Sequence, residues 1–133
     1  MTWTSLLLVS LGGALGTAGR FGLVVAVNRL SAWQYPFGTL LVNIAGSFLM
    51  GLLATMFARS TLLSATSRLV VTTGFLGGFT TYSAFSFEVV QMAVDGRYGM
   101  AATHAGAMIL ACFVATALGV WAGRCLVLFV PSA

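Results

Sequence analysis

Between Thr72 and Glu88 the chain reads TTGFLGGFTTYSAFSFE. Gly74, Gly77 and Gly78 sit beside Thr72, Thr73, Thr80, Thr81, Ser83 and Ser86, with Phe75, Phe79, Tyr82, Phe85 and Phe87 among them. The surrounding sequence is that of an apolar helix, and lipid tolerates non-helical backbone only where protein or a water-filled cavity surrounds it. The pattern predicts a helix broken near Gly77 and lining something polar, because such breaks present half-helix ends and freed carbonyls to ions. The carbonyls of Gly77 and Thr80 would lose their helical donors there, and hard cations take such oxygen ligands. The alternative is that the hydroxyls of Thr80, Thr81 and Ser83, or water, satisfy those carbonyls.

An anion path asks for the opposite groups: hydroxyls, amide NH2, guanidinium and the weakly positive edges of aromatic rings. Thr39, Asn43, Ser47 and Gly51 recur every fourth residue and so share one helix face. An Asn in lipid is costly without a partner, so Asn43 either bonds across to another helix or faces a wet path. Phe79, Tyr82 and Phe85 are spaced by three; such a stripe lines a pore or simply packs in a core. His104 follows Arg97–Tyr98 closely and is expected at shallow depth, as a satisfied interfacial side chain or a donor at a pore mouth. Glu88 must be paired, protonated or set aside, since an ionised carboxylate repels anions; buried ionisable groups in membranes point to function. Arg20 either balances Glu88 or snorkels to headgroups. With one histidine and two acids, no motif sets a nucleophile beside a base, and an enzyme is not expected.

The elements that must position these groups follow from composition. Of 133 residues 59% are hydrophobic and 6% charged, and mean hydropathy is +1.04. This describes an all-α integral membrane protein with a single domain over residues 1–133; long apolar runs without alternation exclude a barrel. Four spans of bilayer length are predicted, at about residues 3–27, 37–58, 67–94 and 99–129, the third one broken. The apolar N-terminal run reads as the first span, not a cleaved signal, and Pro36 starts the second. Trp3, Trp33, Tyr35, Tyr98 and Trp121 fall mostly near span ends, as interfacial aromatics do. Gly12/Gly16 and Gly119/Gly123 form GxxxG pairs, for close packing within one chain or between subunits. Cys112 and Cys125 lie on one helix and cannot bridge. A net charge of +4 is too dispersed for nucleic acid. All six basic residues are arginine: Arg59, Arg68 and Arg124 fall on one side of a four-span topology, Arg20, Arg29 and Arg97 on the other. The tie is either chance or gives insertion no preferred direction. Two-way insertion would let two copies pair antiparallel about an in-plane axis, bringing both breaks together at mid-depth.

The segments GGALGTAGRF (Gly12–Phe21), PFGTLLVNIAGSFLMG (Pro36–Gly51) and TGFLGGFTTYSAFSFE (Thr73–Glu88), with GRYG at Gly96–Gly99, resemble the Fluc (CrcB) family of small bacterial fluoride channels over essentially the whole chain. The resemblance implies an antiparallel, dual-topology dimer of four-helix subunits in the bacterial inner membrane. It further implies a structural central Na+ held by the carbonyls of Gly77 and Thr80, and two pores that export fluoride passively. By the same resemblance Tyr82 and Phe85 line a pore with Asn43, Glu88 belongs to a polar track with Thr81, Ser83 and His104 nearby, and Arg20 lies near a vestibule. Tyr82 stands where phenylalanine is usual and Ala84 where threonine is; His104, Met108 and Cys112 replace an expected Tyr- or Ser-rich track, which admits a related second subunit as partner. Two rivals are a proton-coupled small multidrug exporter, which needs an acid absent from the first span, and a non-transporting assembly subunit, which leaves the hydroxyl-rich break unexplained.

Overall fold

The computed structural model describes residues 2–30, 35–59 and 63–127. Trp33 and the end of the predicted fourth span, Leu128–Phe129, lie outside the described residues. Among the described residues three helices are long and apolar enough to cross a membrane: α1 (Trp3–Leu30), α2 (Phe37–Arg59, apolar to Ala58) and α6 (Tyr98–Val127). Between α2 and α6 the chain is helical in pieces: α3 (Ala65–Leu69), a π-helical segment Val70–Leu76, α4 (Gly77–Phe79) and α5 (Tyr82–Val94). No strand occurs among the described residues.

Local signals set the ends. Ser64 caps α3 by accepting from the Ser67 N–H at 3.1 Å. Gly96, the one residue of positive φ (75°) among those described, ends α5. Its N–H reaches the Ala93 carbonyl (3.0 Å) and the Arg97 N–H the Met92 carbonyl (2.8 Å), a Schellman pair that turns the chain into α6. Within the π segment the Thr72 hydroxyl donates to the Arg68 carbonyl at 2.9 Å, occupying the acceptor that an α-helical N–H would use.

Packing follows the small residues. α1 lies against the π segment and α4, and α2 against α6. A Cβ on Gly12 would come within 2.7 Å of the Val70 carbonyl oxygen, and one on Gly16 would overlap the Phe75 carbonyl. Across the α2–α6 contact, a Cβ on Gly119 would overlap the Phe48 carbonyl, and one on Gly123 would meet the Leu52 carbonyl at 2.9 Å. Helices have no hydrophobic drive to associate in lipid, so close backbone approach through glycine carries the contact. Both GxxxG pairs therefore serve packing within one chain. The core is small, with Val42, Leu76, Phe85, Met92 and Met108 buried, and many large apolar side chains face outward, as expected where lipid is the solvent.

Candidate ion site

The break falls at Thr80–Thr81, three residues beyond Gly77. Thr80 (φ −83°, ψ 158°) and Thr81 (φ −151°, ψ 118°) are extended between α4 and α5. Asn43 of α2 holds them open. Its Oδ1 accepts the Thr81 N–H at 2.8 Å and its Nδ2 donates to the Thr81 carbonyl at 3.0 Å, a two-point bond that mimics a backbone partner. Gly46, one turn further, leaves room for Thr80; a Cβ there would overlap the Thr80 methyl. Thr81 Oγ1 caps α5 by accepting the Ala84 N–H (3.3 Å) and lies 3.3 Å from the Ser83 hydroxyl.

These bonds decide what happens to the two carbonyls. In a continuous helix the Gly77 carbonyl would accept from the Thr81 N–H and the Thr80 carbonyl from the Ala84 N–H. Here the first donor is turned to Asn43 and the second to Thr81 Oγ1. Nor do the local hydroxyls compensate: Thr80 Oγ1 donates to the Leu76 carbonyl (3.0 Å), and Thr81 Oγ1 is engaged at the cap. Two carbonyl oxygens without helical donors, with Gly77 exposed, suit a hard monovalent cation.

On the α5 side a polar chain runs away from the break. Thr39 Oγ1 donates to Glu88 Oε1 at 2.5 Å; Glu88 Oε2 lies 3.3 Å from His104 Nε2; His104 Nδ1 lies 3.0 Å from the Tyr35 hydroxyl. His104 is 0% exposed and the Glu88 side chain 23%. Glu88 and Tyr35 open into a cavity of about 390 Å³ that Asn28, Gln91, Asp95 and Arg97 also line. Burial, and then the nearby Glu88, push the Tyr35 hydroxyl above its ordinary pKa. Beside the chain, the Tyr82 and Phe85 rings meet edge-on (centroids 5.5 Å, 64°), and the Phe85 ring lies 5.7 Å from that of His104. Phe85 is 6% exposed and Tyr82 79%. The site thus joins stripped carbonyls on one side of Asn43 to ring edges and hydroxyls on the other.

Several expectations change. His104 is a satisfied side chain, as expected, with Tyr35 and Glu88 at its two ring nitrogens, and it is wholly buried within the protein, where α5 packs on α6. Glu88 takes Thr39 and His104 as partners, and Arg20 of α1 forms no ion pair with it. The Phe79–Tyr82–Phe85 stripe splits at the break: Phe79 stacks on Phe75 (6.0 Å, 10°) beside Gly19, away from the Tyr82–Phe85 pair. The α2 stripe also divides, Thr39 and Asn43 facing α5 and the break while Gly51 packs on the Thr116 carbonyl of α6. Cys112 and Cys125 are free thiols. One participant was missed by sequence reasoning: Tyr35 read as an interfacial aromatic, and nothing local links it to His104. Thr39 was singled out with Asn43 as a hydroxyl on the path face, but not as a partner of Glu88.

Residues 7–120 match the model of the CrcB-like protein, Camphor Resistance (CrcB) family. The chain is similar to the "Fluoride-specific ion channel FluC" of Geobacter sulfurreducens, 41% identical over 121 residues that cover 91% of this chain and 98% of that one. It is similarly related to proteins of the same name from Opitutus terrae (44% identical; 85% and 87% covered) and Pelobacter propionicus (42%; 92% and 95%). A match over most of the chain, by a family model and by relatives of nearly equal length, places this multi-pass, all-helical protein in the CrcB-like family.

Proposed function

We propose that the chain is a fluoride-selective channel of the bacterial inner membrane that exports fluoride passively and carries out no chemical reaction. The observation that carries the reading is the Asn43–Thr81 clamp. It holds a broken helix open between the Tyr82–Phe85 aromatic pair and a hydroxyl-bearing polar chain, where an anion can exchange hydration water for ring edges and O–H donors. Relatives named as fluoride-specific channels, matched over most of the chain, supply the anion's identity.

In this reading the interrupted segment Ala65–Val94 is a fourth, broken span. Two copies insert in opposite directions and pair across the break, an arrangement supported by the three-against-three arginine count and by Gly77 and Tyr82 being left exposed on one chain. A dimer of this chain, or of it with a related subunit, then forms two pores. The Gly77 and Thr80 carbonyls would hold Na+ at the centre, and the cation would supply positive charge beside the anion path. Tyr82 and Phe85 present ring edges to fluoride, with Asn43 between them and the break. Thr81 and Ser83 add hydroxyls, Glu88 and His104 form the polar track, and Arg20 draws anions toward a vestibule.

Fluoride efflux from liposomes containing the purified protein, read with an ion-selective electrode, tests the function. Fluoride leaves without a proton gradient while chloride stays at the protein-free rate. Equal chloride efflux, or efflux that needs a proton gradient, defeats the proposal.

A further inference from the structure

His104 is wholly buried, yet both of its ring nitrogens meet a partner that tolerates either protonation state. In the neutral ring, Nε2–H donates to Glu88 and Nδ1 accepts from the Tyr35 hydroxyl; in the imidazolium both nitrogens donate and the Tyr35 oxygen accepts. No hydrogen bond is lost on protonation. What changes is charge: Glu88 beside a neutral imidazole leaves the pair at −1, and beside an imidazolium at zero.

We propose that His104 is a positioning residue for Glu88 that sets the net charge of the anion path, so that fluoride conduction rises as the surroundings acidify. This inference rests on the fluoride path proposed above. The groups that face His104 are Glu88 and Phe85 from α5 and Tyr35 from the segment before α2. α2 contributes Thr39 through Glu88 and has no titratable side chain before Arg59 at its far end. Asp95 and Arg97 line the cavity onto which Glu88 and Tyr35 open, and their opposite charges offset each other. Cys112 lies two turns further along α6. Among these groups histidine is the type whose charge changes near neutral pH. Entry of fluoride as neutral acid also grows on acidification, so a path that loses its negative charge under that condition opens when fluoride accumulates.

The test is valinomycin-dependent fluoride efflux from potassium-loaded liposomes, in which leak of neutral hydrogen fluoride is the valinomycin-independent rate. Removing one unit charge at the edge of a wet path predicts an efflux at least about fivefold faster at about pH 5.5 than at about pH 8. His104→Gln, which keeps a donor and never charges, flattens the profile at the slow, alkaline rate. Glu88→Gln raises the alkaline rate to the wild-type acidic rate, and decides the matter if His104→Gln does not yield folded protein. A wild-type rate independent of pH, a pH dependence that survives in His104→Gln, or an unchanged alkaline rate in Glu88→Gln overturns the inference while leaving the channel intact. No fluoride efflux at any pH overturns the proposed function itself.

Discussion

Asn43→Asp alters one atom group of the clamp that opens the third hydrophobic segment. The carboxylate still accepts the Thr81 N–H, now 2.8 Å from Oδ1, but cannot donate to the Thr81 carbonyl, 3.0 Å from Nδ2. An orphaned buried acceptor costs about 1–3 kcal/mol, and the retained bond, become charge-assisted, returns about 1 kcal/mol. Burying the carboxylate costs several kcal/mol more unless it is paired, so a net destabilisation of about 2–5 kcal/mol is expected at neutral pH. Protonation reverses it, because the acid's O–H can donate to the Thr81 carbonyl. The stability missing at neutral pH therefore returns as the pH falls and the introduced carboxylate takes up a proton. Asn43→Leu removes both bonds at every pH and costs about 2–6 kcal/mol with no acid relief. The assay is thermal unfolding in detergent, followed by tryptophan fluorescence, in parallel with fluoride efflux across a pH series. The reasoning is refuted if Asn43→Asp is as stable and as conductive as wild type at neutral pH, or if its deficit fails to shrink on acidification.

Other consequences are simpler. Phe85→Ile removes a ring edge from the Tyr82 and His104 contacts, and fluoride efflux should fall about tenfold while the fold persists; unchanged efflux takes Phe85 off the path. Gly119→Val drives a side chain into the Phe48 carbonyl and should cost at least about 1–3 kcal/mol in unfolding experiments, whereas Gly106→Ala, with open space around it, should be neutral. Tyr35, held above its ordinary 10.0, should appear in a phenolate absorbance titration as a component that vanishes in Tyr35→Phe and titrates above that ordinary value. The stability associated with it is fully present below about pH 10 and is lost as the pH rises through the higher folded value. Exchanging sodium for a large organic cation during purification should lower the unfolding temperature if the Gly77 and Thr80 carbonyls hold Na+; an identical temperature argues against the cage.

Much of the architecture was legible because lipid makes few demands that sequence hides. The apolar runs before Leu30, from Phe37 and from Tyr98 had to be helices, since only internal hydrogen bonding satisfies backbone in a membrane. In the structure those runs form α1, α2 and α6. The glycine and hydroxyl content of Thr72–Glu88 foretold a break, and the matching motifs foretold the family. The position of the break was not legible from local content. Gly77 has the permissive backbone, yet it is helical, and the chain opens at Thr80–Thr81 instead.

The sequence by itself determined that this chain spans a membrane in several passes, breaks one apolar segment within Thr72–Glu88 and carries no set of catalytic side chains. Hydropathy, glycine placement and residue inventory are properties of the chain taken along its length, so they need no fold to be read. Only the tertiary structure decided which groups meet: Asn43 with Thr81, Glu88 with Thr39 and His104 in place of Arg20, Tyr35 with a buried imidazole. A lone polar side chain in an apolar helix must find a partner, but its sequence neighbours do not say on which helix that partner stands. The answer comes from how α1, α2, α5 and α6 pack, and that packing is set by backbones approaching through glycines scattered across the chain.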